Sequence, residues 1–220
     1  MSLCKKPTIL IGVVTRGADI HYKLVTYLIT MVHNEHHNVG VSFVVSPESA
    51  RKGQEQMFQT SVTKGYEYLL MIDSDVIPEP NTIHKLLAVG SDIAVAPVWH
   101  YSTYLKQIHL DVQKYGKPEN FLFNAGTGIE RIRSASFGCM LIKTSVLTKF
   151  VKARERFTYY SPFIFKKYEN HPSDSVFFAK CRKFKVVMKV NWDVHTEHFK
   201  RISLSTSNIK LMEEVRRHRD

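Results

Sequence analysis

The sequence lacks the features of a membrane or secreted protein. None of its apolar runs approaches the roughly 20 residues that a membrane span needs, and the opening Met-Ser-Leu-Cys-Lys-Lys contains no apolar signal core. The three cysteines are far apart and have no metal-type spacing, which favours free thiols in a reducing compartment. We therefore expect a cytoplasmic protein, of a bacterium or of a phage-infected host, without a membrane span.

Charge is distributed unevenly along the chain. Of the net charge of +11, residues 1–139 contribute little, with 13 Lys/Arg against 12 Asp/Glu, whereas residues 140–220 contain 18 against 8. This asymmetry indicates an anionic partner for the C-terminal part. A basic surface that only keeps the protein in solution explains it equally well.

Apolar periodicity predicts one α/β domain over residues 1–220, with no repeat, low-complexity tract or linker. Strands are predicted at Thr8–Val14, Val39–Val45, Tyr68–Ile72, Asp92–Ala96, Ala135–Ile142 and Val186–Val190. Helices are predicted at Ile20–Val32, Pro47–Lys64, Pro80–Leu87, Thr144–Lys152, Ser173–Lys183 and Asn208–His218. Residues 97–135 form an irregular excursion, and residues 153–172 and 192–199 are loops. The alternation of strand and helix is typical of a mostly parallel sheet flanked by helices.

Two acidic residues, Asp73 and Asp75, follow the predicted strand Tyr68–Ile72. A charged side chain on a strand that is buried on both faces costs free energy unless a partner compensates the charge. Carboxylates suit Mg2+ or Mn2+, and Mg2+ is usually shared with substrate phosphates. Ligands of open α/β sheets bind beyond the carboxyl ends of the strands. The hypothesis is therefore a metal held against a nucleotide diphosphate, and the alternative is an ordinary turn or cap.

Six landmarks occur in order between residues 8 and 200. They are Val14-Thr-Arg16, Ser49-Ala-Arg51, Leu69-Leu-Met-Ile-Asp-Ser-Asp-Val-Ile-Pro78, Phe137-Gly-Cys-Met-Leu-Ile142, Ser173-Asp-Ser-Val-Phe-Phe178 and Asp193-Val-His-Thr-Glu-His198. In this order they resemble the GT-A fold glycosyltransferases, in particular the family 2-like group. The resemblance implies an α/β, GT-A (Rossmann-like) fold, with a nucleotide-sugar-binding half at 1–96 and an acceptor-binding half at 97–220.

The resemblance also implies roles for single residues. Metal ligands would be Asp73, Asp75 and His198, with His195 a weaker candidate; donor contacts would be Thr15, Arg16, Arg51, Asp73 and Ser74. The cofactors would be Mn2+ or Mg2+ and a nucleotide-sugar donor, most often a UDP-sugar, with inversion at the anomeric carbon. The family usually shows two adjacent acidic residues before the penultimate helix. This sequence has only Asp174, at the first of those two positions, and we assign it as the general base.

The acceptor is predicted from the basic C-terminal half. Arg154, Arg156, Lys166 and Lys167 lie among aromatic residues, a mixture that suits a phosphate backbone and an exposed base. The sharper interpretation is transfer of a sugar to DNA, for example to hydroxymethylated bases of phage DNA, with polysaccharide, lipid-linked and protein acceptors as alternatives. The Gln-x-x-Arg-Trp signature of processive polysaccharide synthases is missing, so transfer of single sugars is favoured.

Other classes fit the sequence less well. Haloacid-dehalogenase-like phosphatases carry Asp-x-Asp after their first strand, whereas here it follows the third. Thr15-Arg-Gly-Ala18 matches the opening loop of nucleotidyltransferases poorly, and His33-Asn-Glu-His-His37 lacks a distant third zinc ligand of obvious spacing. A basic nucleic-acid-binding protein without catalysis remains the non-enzymatic alternative, but it leaves the ordered acidic and histidine landmarks unexplained.

Overall fold

The computed structural model describes residues 6–17, 19–34, 36–102, 107–116, 122, 124–158 and 172–199. It contains five helices in that part of the chain: α1 (Tyr22–Val32), α2 (Ala50–Thr63), α3 (Thr82–Ala88), α4 (Thr144–Lys152) and α5 (Ser173–Lys183). The strands are β1 (Thr8–Thr15), β2 (Asn38–Val45), β3 (Tyr68–Asp73), β4 (Val76–Pro78), β5 (Ile93–Val95), β6 (Trp99–Ser102), β7 (Gln107–Leu110), β8 (Val112–Lys114), β9 (Ile129–Ala135), β10 (Cys139–Lys143), β11 (Met188–Asn191) and β12 (Thr196–His198). None of the described helices is long and apolar enough to cross a membrane.

Eight strands form the main sheet in the order β2-β1-β3-β10-β5-β11-β9-β8. Only β10 and β9 run against the other six strands, because both pair antiparallel with their neighbours. The predicted α/β class, a sheet flanked by helices, is confirmed. The sheet is mixed rather than purely parallel, since β10 inserts between β3 and β5.

The helices cover both faces of this sheet. Alternate strand residues point to opposite faces, and each set packs on different helices. On one face the core is built with Phe58, Phe150 and Phe177 from α2, α4 and α5; on the other it is built with Leu24 and Ile83 from α1 and α3. The central strands β1, β3 and β10 are therefore buried along nearly their whole length.

The start of α2 differs from the prediction. The helix begins at Ala50 and not at Pro47, with Ser49 as its N-cap. Ser46 is held by the end of β1, where its N–H donates to the Thr15 carbonyl at 2.8 Å, and its hydroxyl donates to the Ser49 carbonyl at 2.6 Å. These contacts keep Ser46 outside the helix. The Ser46-Pro47 pattern therefore predicts a helix start three residues before the observed one.

The region predicted as irregular contains regular structure. Residues 97–135 include a β6–β7 hairpin and strands β8 and β9, which extend the main sheet at one edge. The predicted strand Ala135–Ile142 is two strands, β9 and β10, separated near Phe137. The predicted loop 192–199 contains β12, which pairs with β4. The predicted helix Asn208–His218, and most of the predicted loop 153–172, lie outside the described residues.

Candidate active site

A cavity of about 680 Å3 opens beside the carboxyl ends of β1 and β3. Four residues that the sequence singles out as functional lie on its wall: Arg16, Arg51, Asp73 and Asp174. The remaining lining residues are Ser49, Ala50, Gln54, His100, Asp111, Ser136, Phe137, Pro172 and Ser173. The fold thus brings together side chains from segments that are widely separated in the chain.

The sheet positions the first of these side chains. β1 and β3 are parallel neighbours in register, with Val14 opposite Asp73, so Arg16 and Asp73 leave the sheet at the same edge. The Asp73 N–H donates to the Gly138 carbonyl at 3.0 Å, which ties the end of β3 to the turn before β10. This edge is where open α/β sheets bind ligands.

The amino-terminal ends of α2 and α5 supply the other charged groups. Arg51 lies in the first turn of α2, where the backbone N–H groups and the helix dipole also favour an anion. Gly53 lets this helix lie close to the sheet, because a Cβ there would come within 2.6 Å of Val14 Cγ1. Asp174 lies in the first turn of α5. The wall therefore carries two arginines as well as acidic groups.

Asp75, two residues beyond Asp73, contacts His198, and neither of them lines the cavity. Strands β4 and β12 pair with Val76 opposite His198, and the Phe199 N–H donates to the Asp75 carbonyl at 2.8 Å. His198 Nε2 lies 3.3 Å from Asp75 Oδ2, and the imidazole is almost fully buried, with 4% of its surface exposed. Two segments far apart in sequence therefore place a carboxylate and an imidazole in contact.

The protonation of His198 makes this contact informative. Its Nδ1 lies 2.6 Å from the Trp99 carbonyl oxygen, which can only accept, so Nδ1 carries the hydrogen. In a neutral ring Nε2 then directs a lone pair towards the Asp75 carboxylate, and it has no hydrogen-bond partner among the described residues. Two electron-pair donors repel each other unless a proton or a metal cation lies between them.

The donor set fits a divalent cation that is shared with a ligand. The described residues contain no group of three or more His, Cys, Asp or Glu side chains that could hold an ion by themselves. Asp75 and His198 supply one carboxylate oxygen and one imidazole nitrogen, and Asp73 lies two residues from Asp75 on the cavity wall. Mg2+ typically takes one or two protein carboxylates and completes its shell with phosphate oxygens and water.

Asp111 and Asp174 form a second acidic pair on the same wall. Burial, and to a smaller extent the negative charge of Asp174, together raise the pKa of Asp111 to about 6. Burial also raises the pKa of Asp174, whereas the Ser175 N–H, at 2.7 Å from Oδ1, and the nearby Arg51 oppose that rise. Perturbed carboxyl groups in a cavity are typical of catalytic sites.

Sequence reasoning missed Asp111, His100, Ser136 and Gln54, all of which line the cavity. Asp111 lies between the buried residues Leu110 and Val112 in the stretch that was read as irregular. His100 Nε2 lies 3.2 Å from Ser136 Oγ, and its ring packs edge-on against His198 at 4.9 Å between centroids. No local spacing links these residues to Asp73, so only the fold could have revealed them.

Two of the predicted donor residues do not line the cavity. The Thr15 hydroxyl donates to the Gly17 carbonyl at 2.8 Å and so shapes the loop that carries Arg16. The Ser74 carbonyl accepts the His21 N–H at 3.3 Å. The weaker metal candidate His195 is exposed, and its backbone N–H donates to Glu79 at 3.0 Å.

The predicted acceptor residues lie elsewhere or cannot be placed. Arg154 and Arg156 are exposed beyond the end of α4 and do not line the cavity. Glu155, between them, pairs with Lys180 and Lys183 of α5, at the far end of that helix from Asp174. Lys166 and Lys167 lie outside the described residues.

Comparison with known proteins identifies the fold but no family. No protein-family model matches the chain, and no curated protein matches it. The crystal structure of A197 from STIV matches with a TM-score of 0.62 and 15% identity over 88% of this chain and 86% of that chain. That likeness shows the fold alone.

Two weaker structural matches are transferases. A glycosyltransferase involved in the glycosylation of the major capsid of PBCV-1 matches at a TM-score of 0.48 and 13% identity, over 94% of this chain and 100% of that chain. The inositol-1-phosphate CTP transferase from T. maritima matches at 0.44 and 10% identity, over 96% of each chain. The structural neighbours thus include glycosyl- and nucleotidyltransferases, but at these scores the function of this chain has to be argued from its own cavity.

Proposed function

We propose that this protein is a metal-dependent glycosyltransferase that moves a single sugar from a nucleotide-sugar donor to an acceptor hydroxyl. The observation that carries the proposal is the cavity at the carboxyl ends of β1 and β3. Its wall combines two arginines, a helix amino terminus and Asp73, next to the Asp75–His198 contact. A nucleoside diphosphate needs such positive charge around its phosphates. The cation that accompanies it needs carboxylate ligands.

The donor diphosphate binds where positive groups converge. Arg51 and the first-turn N–H groups of α2 neutralise phosphate oxygens, and Arg16 contributes a second guanidinium from the end of β1. Asp73 contacts the ribose or the metal, and Asp75 with His198 holds the Mn2+ or Mg2+ ion. An ion held there would supply positive charge for the departing diphosphate. Thr15 contributes indirectly, because its hydroxyl shapes the loop that carries Arg16.

Transfer also requires a base for the acceptor hydroxyl. That base is a carboxylate of the cavity wall that does not bind the metal, and Asp174 belongs to this group. Its place at the start of α5, close enough to Arg51 for that charge to lower its pKa, joins the acceptor side to the donor side. A hydroxyl that attacks the anomeric carbon loses its proton to such a group.

A panel of nucleotide sugars tests this function. We expect metal-dependent release of nucleoside diphosphate from one donor of the panel, loss of that release in excess EDTA, and loss in Asp75→Ala. Glu197→Gln is the matched control: Glu197 neighbours His198 on β12, but its side chain is exposed and pairs with Lys23. Turnover in EDTA, or full activity of Asp75→Ala, would contradict the metal role. Failure of every nucleoside diphosphate to bind with Mn2+ would contradict the whole proposal.

For the acceptor we propose DNA, for example a hydroxymethylated base. The +11 net charge, which lies mostly in residues 140–220, and the exposed Arg154 and Arg156 support an anionic partner. Binding that depends on phosphate contacts weakens steeply with salt. We therefore expect the affinity for modified duplex DNA to fall at least about tenfold between low and moderate salt. An affinity that does not change with salt would favour the polysaccharide, lipid-linked or protein acceptors instead.

A further inference from the structure

Asp111 is a cavity carboxylate to which the sequence assigns no role. It lies between β7 and β8, and its carbonyl accepts the Ser136 N–H at 3.0 Å, which fixes its backbone against the segment between β9 and β10. Its side chain lines the cavity together with Asp174. Within the described part of the chain, the Asp111 carboxylate makes no hydrogen bond or ion pair.

Asp174 has different surroundings on the same wall. Its Oδ1 accepts the Ser175 N–H at 2.7 Å, and it lies in the first turn of α5, where the helix dipole favours a negative charge. Arg51 is close enough to favour its charged form. One oxygen of Asp174 is therefore already engaged with the protein, and the charge of the group is stabilised from two directions.

Two carboxylates that interact across a cavity rarely ionise independently. Asp174 keeps its charge more easily because a backbone donor and an arginine stabilise it. Asp111 has neither, so the charge of Asp174 and burial make it the more basic member of the pair, with a pKa of about 6. A group of this basicity is mostly ionised at neutral pH and still accepts a proton readily.

Other ionisable groups share this wall. They are Asp73 at the end of β3, Arg16 after β1, Arg51 on α2 and His100 on β6. Of these, Arg51 acts on Asp174, whereas none appears among the groups that shift the pKa of Asp111. Burial is the larger cause of the raised pKa of Asp111, and among the described residues Asp174 is the charged group that adds to it.

We propose that Asp111 is the general base of the transfer and that Asp174 is its anionic neighbour. In this step the acceptor oxygen forms a bond to the anomeric carbon, and its proton goes to an Asp111 carboxylate oxygen. The bond between the anomeric carbon and the phosphate oxygen breaks, and its electron pair leaves with the nucleoside diphosphate. Asp174 keeps Asp111 basic and accepts a hydrogen bond from the acceptor through its second oxygen. The inference rests on the proposed function, whose sequence-based assignment it changes from Asp174 to Asp111.

The test combines binding, turnover and pH dependence. The donor that the panel identifies is hydrolysed with water as acceptor by the wild type, Asp111→Asn, Asp111→Glu, Asp174→Asn and the control Glu197→Gln. Mn2+-dependent UDP binding by calorimetry reports separately on the donor side. A wild type that binds no nucleoside diphosphate would reject the proposed function itself, whereas the base assignment is decided by the differences between variants that bind normally.

We expect Asp111→Asn to bind UDP within about twofold of the wild type and to lose about 100- to 10,000-fold in turnover, the usual contribution of general-base catalysis. Asp111→Glu should recover part of the rate. Asp174→Asn should lose less and move the acidic limb of the pH profile to lower pH, because it removes the charge that makes Asp111 basic. A structural role for Asp111 would not produce that movement.

Two results would overturn the assignment. One is near-normal turnover in Asp111→Asn together with loss in Asp174→Asn; the other is equal loss in both variants with an unchanged pH profile. The pair can also be followed without turnover, by NMR of isotope-labelled aspartate carboxyl carbons. A resonance that titrates near pH 6 in the wild type should vanish in Asp111→Asn and titrate at lower pH in Asp174→Asn. A resonance of Asp111 that titrates in the ordinary range for aspartate, unaffected by Asp174→Asn, would also contradict the proposal.

Discussion

Two pairs of carboxylates, Asp73 with Asp75 and Asp111 with Asp174, differ in their surroundings. Asp73 and Asp75 lie two residues apart at the end of a buried strand, and Asp75 contacts His198. Asp111 and Asp174 come from distant parts of the chain and share only the cavity wall. The first pair meets an imidazole whose Nε2 faces the Asp75 carboxylate, and the second meets a helix amino terminus and Arg51.

In the proposed function this difference assigns two different roles to carboxylates, one pair to the metal and one pair to the acceptor proton. Near Asp75 the structure supplies an imidazole nitrogen at 3.3 Å, and a proton or a metal cation can lie between the two groups; the proposed function assigns a metal cation to this place. Near Asp111 it supplies a neighbouring negative charge and burial, so a proton is the natural partner. Environments that separate paired carboxylates in this way are how proteins assign metal-binding and acid–base roles.

The largest effect should come from breaking the first pair. We expect Asp75→Asn to lower turnover about 100- to 1,000-fold at fixed Mn2+, because removal of one electrostatic element that stabilises developing charge has about this effect. Asp73→Asn should lose less, since the carboxylate that lies 3.3 Å from His198 Nε2 belongs to Asp75. Steady-state kinetics over a Mn2+ titration measures both, with Glu197→Gln as the control. A larger loss in Asp73→Asn than in Asp75→Asn would reverse the roles within the pair.

The two pairs also differ in how far sequence could reveal them. Asp73 and Asp75 follow an apolar run, and local spacing suffices to suggest a shared cation. Asp111 is brought to Asp174 only by the β8–β9 extension of the sheet, which lies in a segment whose polar and aromatic residues follow no clear period. Pairing of that kind depends on distant partners, which a reading of local patterns does not contain.

The fold shows the same division. The strands β1, β2 and β3 are apolar runs that local patterns identify to within a residue or two. The start of α2 was misplaced because Ser46 is bound by the Thr15 carbonyl of the neighbouring strand. Arg51 and Asp174 are predicted by resemblance to a family, and both line the cavity, while their roles stay predictions. What sequence could not supply was the set of contacts between segments.

A smaller effect is expected at the imidazole that faces Asp75. We expect His198→Gln to raise the half-saturating Mn2+ concentration about 10- to 100-fold, the usual effect of disturbing the residues around a metal. Saturating Mn2+ should restore most of the maximal rate, since Asp75 remains. Mn2+ titrations of UDP binding and of turnover measure this change. His195→Gln is the matched control, because His195 is exposed on the same segment.

The control can also contradict the assignment. If His195→Gln weakens Mn2+ binding and His198→Gln does not, the ion is held on the other side of β12, and the Asp75–His198 contact has only a structural role. If neither variant changes the Mn2+ dependence, the first pair of carboxylates binds the ion without an imidazole.

The smallest effect concerns stability and separates the two pairs without any substrate. The pKa of Asp111 is about 6 in the folded protein, above its ordinary value of 3.8, so the folded state binds more protons than the unfolded state between these values. The contribution of Asp111 to stability is therefore greatest at low pH and is lost as the pH rises through about 6, by roughly 2–3 kcal/mol in total. In Asp111→Asn the side chain at this position does not titrate, so the variant does not lose this stability as the pH rises.

Thermal melting at about pH 4.5 and about pH 7.5 measures the difference. The difference in Tm between Asp111→Asn and the wild type should be several degrees more favourable to the variant at the higher pH than at the lower pH. About 1 kcal/mol shifts Tm by roughly 2–4 °C in a protein of this size. Asp174→Asn should give part of the same gain, because it removes the charge that acts on Asp111, whereas Glu197→Gln should show none. An equal shift of Tm at both pH values would mean that Asp111 is held by packing alone, and the contrast between the two carboxylate pairs would then have no electrostatic basis.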